Sequence, residues 1–318
     1  MKGLLVYNGF VKSQKFNDIY ALILSAAKKR GIDFIKKSTL ELAAPLGEKI
    51  FDRSFDCSDG SLDSASDSSF DRSFSQTSPD RSAVPDFCVF WDKDVNLARR
   101  LESENIRLFN RASAIEACDN KILTCTALCS VKSVKIPKTL IAPKTFEGVG
   151  YSREFAEKAA DILGFPLVLK EAFGSFGKQV YLIKNKAELA EKLAEVGYKD
   201  VLLQQFVSSS FGKDVRVNVV GGEVVACMLR YNDGDFRSNI SNGGKMRKTQ
   251  IPREWENAAI NACTALNLDF AGVDVMFGEQ GEPIICEVNS NPHFRSTLEC
   301  TEVNMSERII DYILSQNK

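Results

Sequence analysis

Two apolar runs near the end of the chain, AGVDVMF and EPIICEVN, are joined by the turn sequence GEQG. Their β-branched residues and the turn between them predict a β-hairpin. If the turn has an even number of residues about the centre of GEQG, Asp274 lies opposite Ile285. The same register places Glu287 opposite Gly272. Because opposed residues and residues two apart on a strand share a face, Asp274, Glu287 and Asn289 should project from one side of the sheet.

The side chains of these three residues indicate the kind of ligand that they could bind. Two carboxylates and an amide oxygen, without thiolate or imidazole, form a hard oxygen site suited to Mg²⁺ or Mn²⁺. Magnesium usually keeps some waters and takes further ligands from substrate phosphates, so the site also indicates a nucleotide. The alternative is a solvated acidic face, which fits an apolar hairpin less well.

The end of the hairpin, CEVNSNPHF, contains the single histidine of the chain, His293. The nine cysteines include no C-x-x-C pair, so a zinc site is not expected. His293 follows Pro292, where the strand should have ended, and is interpreted as a loop residue. A pH-dependent role on the acceptor side stays open for it. Asn291 continues the face of Asn289 and either supports the metal or shapes an acceptor pocket.

A second motif, PLVLKEAFGSFGKQ, predicts a phosphate site. Lys170 closes a buried strand, and Gly174 and Gly177 would let backbone N–H groups approach phosphate oxygens. Lys170 can add a point charge to the same phosphates. The segment matches neither the P-loop nor the dinucleotide fingerprint, and a simple hairpin turn is the alternative.

The rest of the chain alternates strand and helix signals up to about residue 111, which predicts a parallel-sheet α/β domain. The Ser- and Asp-rich segment at 51–85, which repeats FDRSF, is predicted to be a mobile surface loop, with a docking motif as the alternative. From residue 112 onward, paired strands with helices on one side predict α+β subdomains.

Composition limits the classes of function. With 318 residues, 44% of them hydrophobic, two or three domains are expected. The formal net charge of −1 gives no global field toward nucleic acid or a membrane surface, so neither partner is expected. The chain begins without a signal-peptide pattern and has no apolar run of membrane-spanning length. Scattered cysteines favour reduced thiols and a cytoplasmic location. A homo-oligomer is possible.

Seven motifs in order carry a resemblance over about two-thirds of the chain: CDNKILT, PLVLKEAFGSFGKQV, LLQQFV, GKDVRVNVVGGEVVA, DGDFRSNISNGG, AGVDV and EVNSNP. Together they resemble the ATP-grasp superfamily, in particular its RimK-like branch of glutamate ligases that modify ribosomal protein S6 or amino-group carrier proteins. The resemblance implies a pre-ATP-grasp domain at 1–111. It also implies an ATP-grasp fold of two subdomains, at 112–203 and 204–318.

The resemblance also implies roles for individual residues. ATP phosphates would be bound by Lys121, Lys170 and the loop of Gly174, Ser175, Phe176 and Gly177. The adenine edge would meet the backbone of Gln205, Phe206 and Val207, and the ribose would meet Asp214. Two Mg²⁺ or Mn²⁺ ions would be held by Asp274, Glu287 and Asn289. The nucleotide and the reaction centre would also be contacted by five further residues: Arg216, Arg230, Arg237, Ser238 and Asn239.

The activity implied is ATP-dependent ligation of a carboxylate to an amine through an acyl phosphate. The product would be an amide of an amino acid such as glutamate with a protein, peptide or small-molecule acceptor. Two alternatives stay open: a nucleotide-binding regulatory or scaffold protein, and a dipeptide ligase resembling D-alanine–D-alanine ligase. For Arg216 and Arg230, the alternative role is pairing with acidic neighbours on their strands.

Overall fold

The computed structural model describes residues 1–51, 84–175, 177–240 and 243–316. Of the loop predicted at 51–85, residues 52–83 lie outside this set, and so does Phe176. Within the described residues, no helix has the length and apolar composition needed to cross a bilayer.

The first sheet is parallel, as the alternating strand and helix signals predicted. Its four strands run in the order β2-β1-β3-β4. They are β1 (Lys2–Tyr7), β2 (Asp33–Ser38), β3 (Phe87–Trp91) and β4 (Arg107–Phe109). Helices α1 (Gln14–Lys29) and α2 (Val95–Ser103) connect them and bury apolar faces. Because all strands point the same way, their carboxyl ends meet at one edge of the sheet.

The second sheet is antiparallel, in the order β5-β8-β6-β7. Its strands are β5 (Thr139–Ile141), β6 (Leu167–Glu171), β7 (Val180–Ile183) and β8 (Val201–Gln205). Two helices pack on it, α5 (Arg153–Leu163) and α6 (Lys186–Val196). Every residue of β6 is buried, as predicted for PLVLKEA. Before this sheet come α3 (Ala112–Asp119) and α4 (Lys121–Cys129).

The third sheet has five antiparallel strands in the order β11-β10-β9-β12-β13. They are β9 (Lys213–Val220), β10 (Glu223–Tyr231), β11 (Lys245–Lys248), β12 (Phe270–Phe277) and β13 (Pro283–Asn289). The tight turn between β9 and β10 uses Gly221 and Gly222, at φ +60° and +80°, a pair that suits such a turn from the sequence alone. Helix α7 (Arg253–Ala265) covers one face, and α8 (Arg295–Thr301) and α9 (Met305–Gln316) close the chain.

The predicted register of the β12–β13 hairpin is wrong in detail. Asp274 pairs with Glu287, and Gly272 pairs with Asn289. The pairs next to the turn, such as Phe277 with Pro283, follow an odd-numbered turn, and a β-bulge between the two sets restores the parity. The odd-numbered turn and the bulge each shift the register by one residue. Together they restore the predicted arrangement, in which Asp274, Glu287 and Asn289 share one face.

The segment ASAIEACDNKILTCTALC suggests two short helices that break near Asp119, with Asp119 as the cap of the second; the break is present, but the capping residue differs. Asn120 is the N-cap of α4, and its Oδ1 accepts hydrogen bonds from the backbone N–H of Ile122 at 2.9 Å and Leu123 at 3.4 Å. Asp119 is instead the last residue of α3 and forms an ion pair with Lys93.

A buried asparagine joins the first sheet to the third. Asn110 is fully buried, and its Nδ2 donates to the carbonyl oxygens of Phe270 at 2.9 Å and Ser290 at 2.8 Å. Its Oδ1 accepts from the backbone N–H of Asp269 and Phe270. Around it, β1, β3 and α1 share one apolar core with α9. The carboxyl edge of the parallel sheet is thereby fixed beside the end of β13.

Candidate active site

A cavity with about 870 Å³ of empty space lies between the second and third sheets. Part of this space is open to solvent. It brings together thirteen of the residues predicted from sequence: Lys121, Lys170, Gly177, Gln205, Phe206, Val207, Asp214, Arg230, Arg237, Ser238, Asn239, Asp274 and Glu287. Arg216, Asn289 and Ser175 line an adjoining cavity instead.

One end of this first cavity is basic. Lys121 opens α4, where Asn120 caps the helix, and its Nζ donates to the Gly174 carbonyl at 3.2 Å. Burial lowers the pKa of Lys121, and the charges of Lys170 and Lys93 lower it further, against an opposing effect of Glu287. Lys170 is itself buried on β6. Lys121 is half-buried and Lys93 is exposed, so one buried ammonium group and two more accessible ones repel one another here, an electrostatic setting that favours an anion.

The glycine loop closes this basic end. Gly174 has φ +146°, and a Cβ there would lie 2.3 Å from Oε1 of Gln179, so the backbone path requires glycine. Arg237, in the DGDFRSN motif, donates from Nη1 to the Gly177 carbonyl at 2.8 Å. Two motifs that are far apart in sequence therefore meet directly.

The other end of the first cavity is an apolar slot. Its walls come from Pro137, Val168, Val180, Phe236 and Met276. The segment 205–207 leaves β8 along this slot. The Gln205 N–H already donates to the Lys138 carbonyl at 2.9 Å, so it is engaged within the protein. These apolar side chains beside the backbone of 205–207 would suit the faces of an aromatic heterocycle.

Sheet register creates a buried cluster of two arginines and two aspartates. Arg216 on β9 lies opposite Asp274 on β12, and Arg230 on β10 lies opposite Asp214 on β9. Arg230 donates from Nε and Nη2 to the two oxygens of Asp214 at 2.8 and 2.6 Å. Its Nη2 also lies 2.9 Å from Oδ1 of Asp274. The alternative role predicted for both arginines, pairing with acidic neighbours, is therefore present, in a buried setting.

These contacts control the charges of the cluster. Burial opposes the charged form of Asp274, but the charges and hydrogen bonds of Arg216 and Arg230 outweigh it and hold its pKa below the usual value. Burial likewise opposes the charge of Arg230, and its two aspartates raise its pKa regardless. Asp274 and Arg230 are thus both charged at neutral pH.

The predicted metal ligands offer carboxylate and amide oxygens, which are the donor atoms that a divalent cation such as Mg²⁺ prefers. Oδ1 of Asp274 accepts hydrogen bonds from Arg216 Nε and Arg230 Nη2. Its Oδ2 accepts one from Arg216 Nη2 at 2.9 Å. A carboxylate offers about four lone-pair positions, so one remains on Oδ2. Within the part of the chain that the structure describes, no group of three or more His, Cys, Asp or Glu is arranged to hold a metal. The protein offers two carboxylates and one amide, a set that water and phosphate oxygens would complete.

The adjoining second cavity has about 1,050 Å³ of empty space and reaches the first sheet. Asn239, Asp274 and Glu287 line both cavities and mark their junction. Asn289, Arg216 and Ser175 line the second one. The geometry therefore consists of a basic and apolar cavity joined to a polar one, with carboxylates at the junction.

His293 and Asn291 both line the second cavity. His293 lies in the loop before α8, as predicted, and its Nε2 is 3.1 Å from the Lys15 carbonyl. Burial lowers its pKa, so it is neutral at pH 7. Asn291 donates from Nδ2 to the Asp92 carbonyl at 2.8 Å and so connects the hairpin end to the first sheet.

Two residues of the first sheet were missed by the sequence analysis. Asp92, directly after β3, lines the second cavity. Lys93 pairs with Asp119 and donates to the Ser175 hydroxyl at 3.2 Å, so it reaches the glycine loop. The available signal was their place at the carboxyl end of a parallel strand, where ligands commonly bind.

Comparison with known proteins gives consistent results. A family model for the RimK-like ATP-grasp domain matches residues 118–313. Human N-acetylaspartylglutamate synthase A is 34% identical over 237 residues, which are 73% of this chain and 58% of the synthase. A probable alpha-L-glutamate ligase of Maridesulfovibrio salexigens is 32% identical over 221 residues, 68% of this chain and 70% of that protein.

The fold comparison extends over the whole chain. The crystal structure of a RimK domain ATP-grasp protein from Sphaerobacter thermophilus superposes with a TM-score of 0.67 at 17% identity, covering 99% of this chain and 100% of that one. Fold and site define an ATP-grasp enzyme of the ligase type. The chain belongs to the RimK-like ATP-grasp family, because that family model covers more than half of it.

Proposed function

We propose that this protein is an ATP-dependent ligase that joins a carboxylate to the amine of an amino acid such as glutamate. The observation that carries this proposal is the junction of the two cavities at Asp274, Glu287 and Asn239. A nucleotide in the first cavity would direct its phosphates to that junction. The substrates would meet it from the second cavity.

On the nucleotide side, Lys121 and Lys170 neutralise phosphate charge, and the loop 174–177 covers the phosphates. The backbone of 205–207 borders the adenine, and Asp214 accepts from the ribose. In this proposal the subdomains 112–203 and 204–318 enclose the nucleotide, and the domain 1–111 completes the second cavity. The repulsion between buried Lys170 and half-buried Lys121 supports the assignment, since an anionic ligand would relieve it.

Asp274, Glu287 and Asn289 would hold the divalent cations, two Mg²⁺ or Mn²⁺ in this proposal. When bound, such ions neutralise charge shared between the β- and γ-phosphates. Arg216 and Arg230 keep Asp274 ionised and fixed in position by their hydrogen bonds. Arg237, Ser238 and Asn239 line the first cavity, and in this proposal Arg237 and Asn239 donate to the transferred phosphoryl group.

The reaction has two steps. An oxygen of the substrate carboxylate bonds to the γ-phosphorus as the bond to the bridging oxygen of ADP breaks, which gives an acyl phosphate. The amine nitrogen then bonds to the acyl carbon, and inorganic phosphate leaves as the amine loses its proton. Positioning and charge neutralisation provide most of the catalysis in such a transfer.

Related proteins support the choice of an amino-acid amine. The human relative is named as a synthase of N-acetylaspartylglutamate and the Maridesulfovibrio relative as an alpha-L-glutamate ligase. Transfer of glutamate to this chain is an inference from those names.

The test combines Mg-ATP, hydroxylamine and a panel of amino acids, peptides and polycarboxylates. The expected result is ADP together with a hydroxamate for at least one carboxylate, and amide when glutamate replaces hydroxylamine. Glu287→Gln serves as the matched inactive control. ADP and hydroxamate absent across the whole panel would refute the ligase proposal.

A further inference from the structure

Asp92 is a buried carboxylate on the substrate side of the proposed active site. It follows Trp91, the last residue of β3, and is 7% exposed. It lines the second cavity together with Glu287 and Asn289. Asn291, at the end of the hairpin, donates to the Asp92 carbonyl at 2.8 Å, so the two sides of the cavity are directly connected.

The hydrogen bonds of Asp92 come from neutral groups. Its Oδ1 accepts from the backbone N–H of Lys93 at 2.6 Å and of Asp94 at 2.8 Å. The Asn8 side chain donates to the same carboxylate. These bonds fix the orientation of the carboxylate without supplying a compensating charge.

The contrast with the other buried aspartates is informative. Asp214 and Asp274 pair with Arg230 and Arg216, and Asp269 pairs with Arg107 at 2.9 Å. Among the residues that the structure describes, no lysine or arginine forms an ion pair with Asp92; its neighbour Lys93 turns away to Asp119. A buried carboxylate without a cation is costly, and a cationic ligand removes that cost.

The walls around Asp92 suit an ammonium group. Phe16, Tyr20 and Trp91 line the same cavity. Burial, followed by the Asp92 charge, raises the pKa of Tyr20 to about 12, so this phenol stays neutral beside the carboxylate. Lys36 Nζ already lies 5.1 Å from the centroid of the Tyr20 ring, and Trp91 stacks on Phe270, so these rings serve as apolar walls that limit competing water around an ammonium group at Asp92.

We propose that Asp92 binds the ammonium group of the amine substrate and holds that substrate across the junction from the nucleotide cavity. The ligand class is a primary ammonium, such as that of an α-amino acid. This inference rests on the proposed ligase function and identifies where its nucleophile binds.

Hydroxylamine allows the amine site to be tested separately from carboxylate activation, since it is a small, largely uncharged nucleophile at neutral pH. Asp92→Asn keeps the shape of the side chain and an oxygen for the backbone N–H groups. We expect hydroxamate formation within about threefold of wild type and kcat/KM for the amino acid about 10- to 100-fold lower, mainly through KM. Asp94→Asn is the matched control, because Asp94 is exposed, caps α2 and does not line this cavity.

A binding measurement tests the site without turnover. Calorimetric titration of the full-length protein with Mg-ADP and each common amino acid should find one that binds, with its affinity at least about tenfold weaker in Asp92→Asn. The N-acetylated form of that amino acid should bind both proteins equally, because it has no ammonium.

Three results would overturn the ammonium site: an equal loss of hydroxamate and amide formation in Asp92→Asn, unchanged amino-acid affinity in that variant, or no amino acid bound by wild type. A wild-type protein that binds an amino acid through Asp92 but forms neither ADP nor hydroxamate would instead refute the ligase function alone.

Discussion

Asp274 lies directly opposite Glu287 across the β12–β13 hairpin, yet the two carboxylates have different surroundings. Asp274 is 4% exposed and bound by Arg216 and Arg230. Glu287 lines both cavities, and no ion pair joins it to another side chain within the described part of the chain. The first carboxylate therefore contributes to the fold as well as to the site, whereas the second is available to a ligand.

The first prediction follows from that difference. Both Glu287→Gln and Asp274→Ala should lower ADP formation at least about 100-fold, the usual effect of removing a group that stabilises transition-state charge. Asp274→Ala should also lower the free energy of unfolding by about 3–5 kcal/mol, because it leaves buried arginine charge uncompensated. Glu287→Gln should stay within about 0.5 kcal/mol of wild type. Urea denaturation and an ADP assay measure the two effects. Equal stability of the two variants would contradict the assigned role of the arginine pairs.

The second prediction separates two arginines of the proposed reaction centre. Arg230→Ala should cost about 3–5 kcal/mol of unfolding free energy, since Asp214 would be left buried and unpaired. Arg237 and Asp235 are only partly buried, so Arg237→Ala should cost about 1 kcal/mol or less. Both variants should lose ADP formation. A folded Arg237→Ala protein with wild-type activity would exclude Arg237 from the reaction.

The Asp274 and Glu287 pairing also shows how far the sequence was informative. Strand alternation placed Glu287 and Asn289 on one face, because parity along a strand is a local property, but Asp274 shares that face only because the odd-numbered turn and the β-bulge offset each other. Strand alternation did not predict the β-bulge, which follows the five-residue turn at 278–282 and shifts the register between Val275 and Asp274. The assignment of Lys121 and Lys170 to a phosphate site could be made from the sequence, because each lysine lies in a short motif.

Asp92 was not predicted, because its position depends on long-range packing. It lies 199 residues before its partner Asn291 in sequence, and the contact exists only once Asn110 joins the first sheet to the third. Local patterns do not determine which sheet edges meet. The same limit applied to Lys93 and its contact with Ser175.

The third prediction concerns the glycine loop. Gly174→Ala should raise KM for ATP about tenfold, since the new Cβ would meet the Gln179 side chain and displace the loop over the phosphates. Gly197→Ala is the matched control: Gly197 has φ +65° after α6, with open space around its Cβ position. Both variants should lose about 1 kcal/mol of stability, but only the first should lose ATP affinity. Steady-state kinetics with varied ATP decides between the two, and equal KM values would contradict the assignment of the loop.

The fourth prediction concerns the balance of binding and stability at Lys121. Burial lowers its pKa from the ordinary 10.5, and the nearby lysines lower it further, so the folded state holds this proton less tightly than the unfolded chain does. Its charge therefore destabilises the fold at every pH below the folded-state pKa. Lys121→Met should raise the Tm at pH 7, and it should reduce the additional rise in Tm that Mg-ATP gives to wild type.

The stability difference between Lys121→Met and wild type should depend on pH in a definite direction. The stability advantage of Lys121→Met should be complete at neutral pH and should shrink as the pH rises from the folded-state pKa toward 10.5, where the lysine becomes neutral in both states. Thermal unfolding from pH 7 to 10.5, with and without Mg-ATP, measures both parts. Lys132→Met is the matched control, since Lys132 is exposed and lines neither cavity of the site. A lower Tm for Lys121→Met at pH 7, or an unchanged response to Mg-ATP, would contradict an anion-binding role for this lysine.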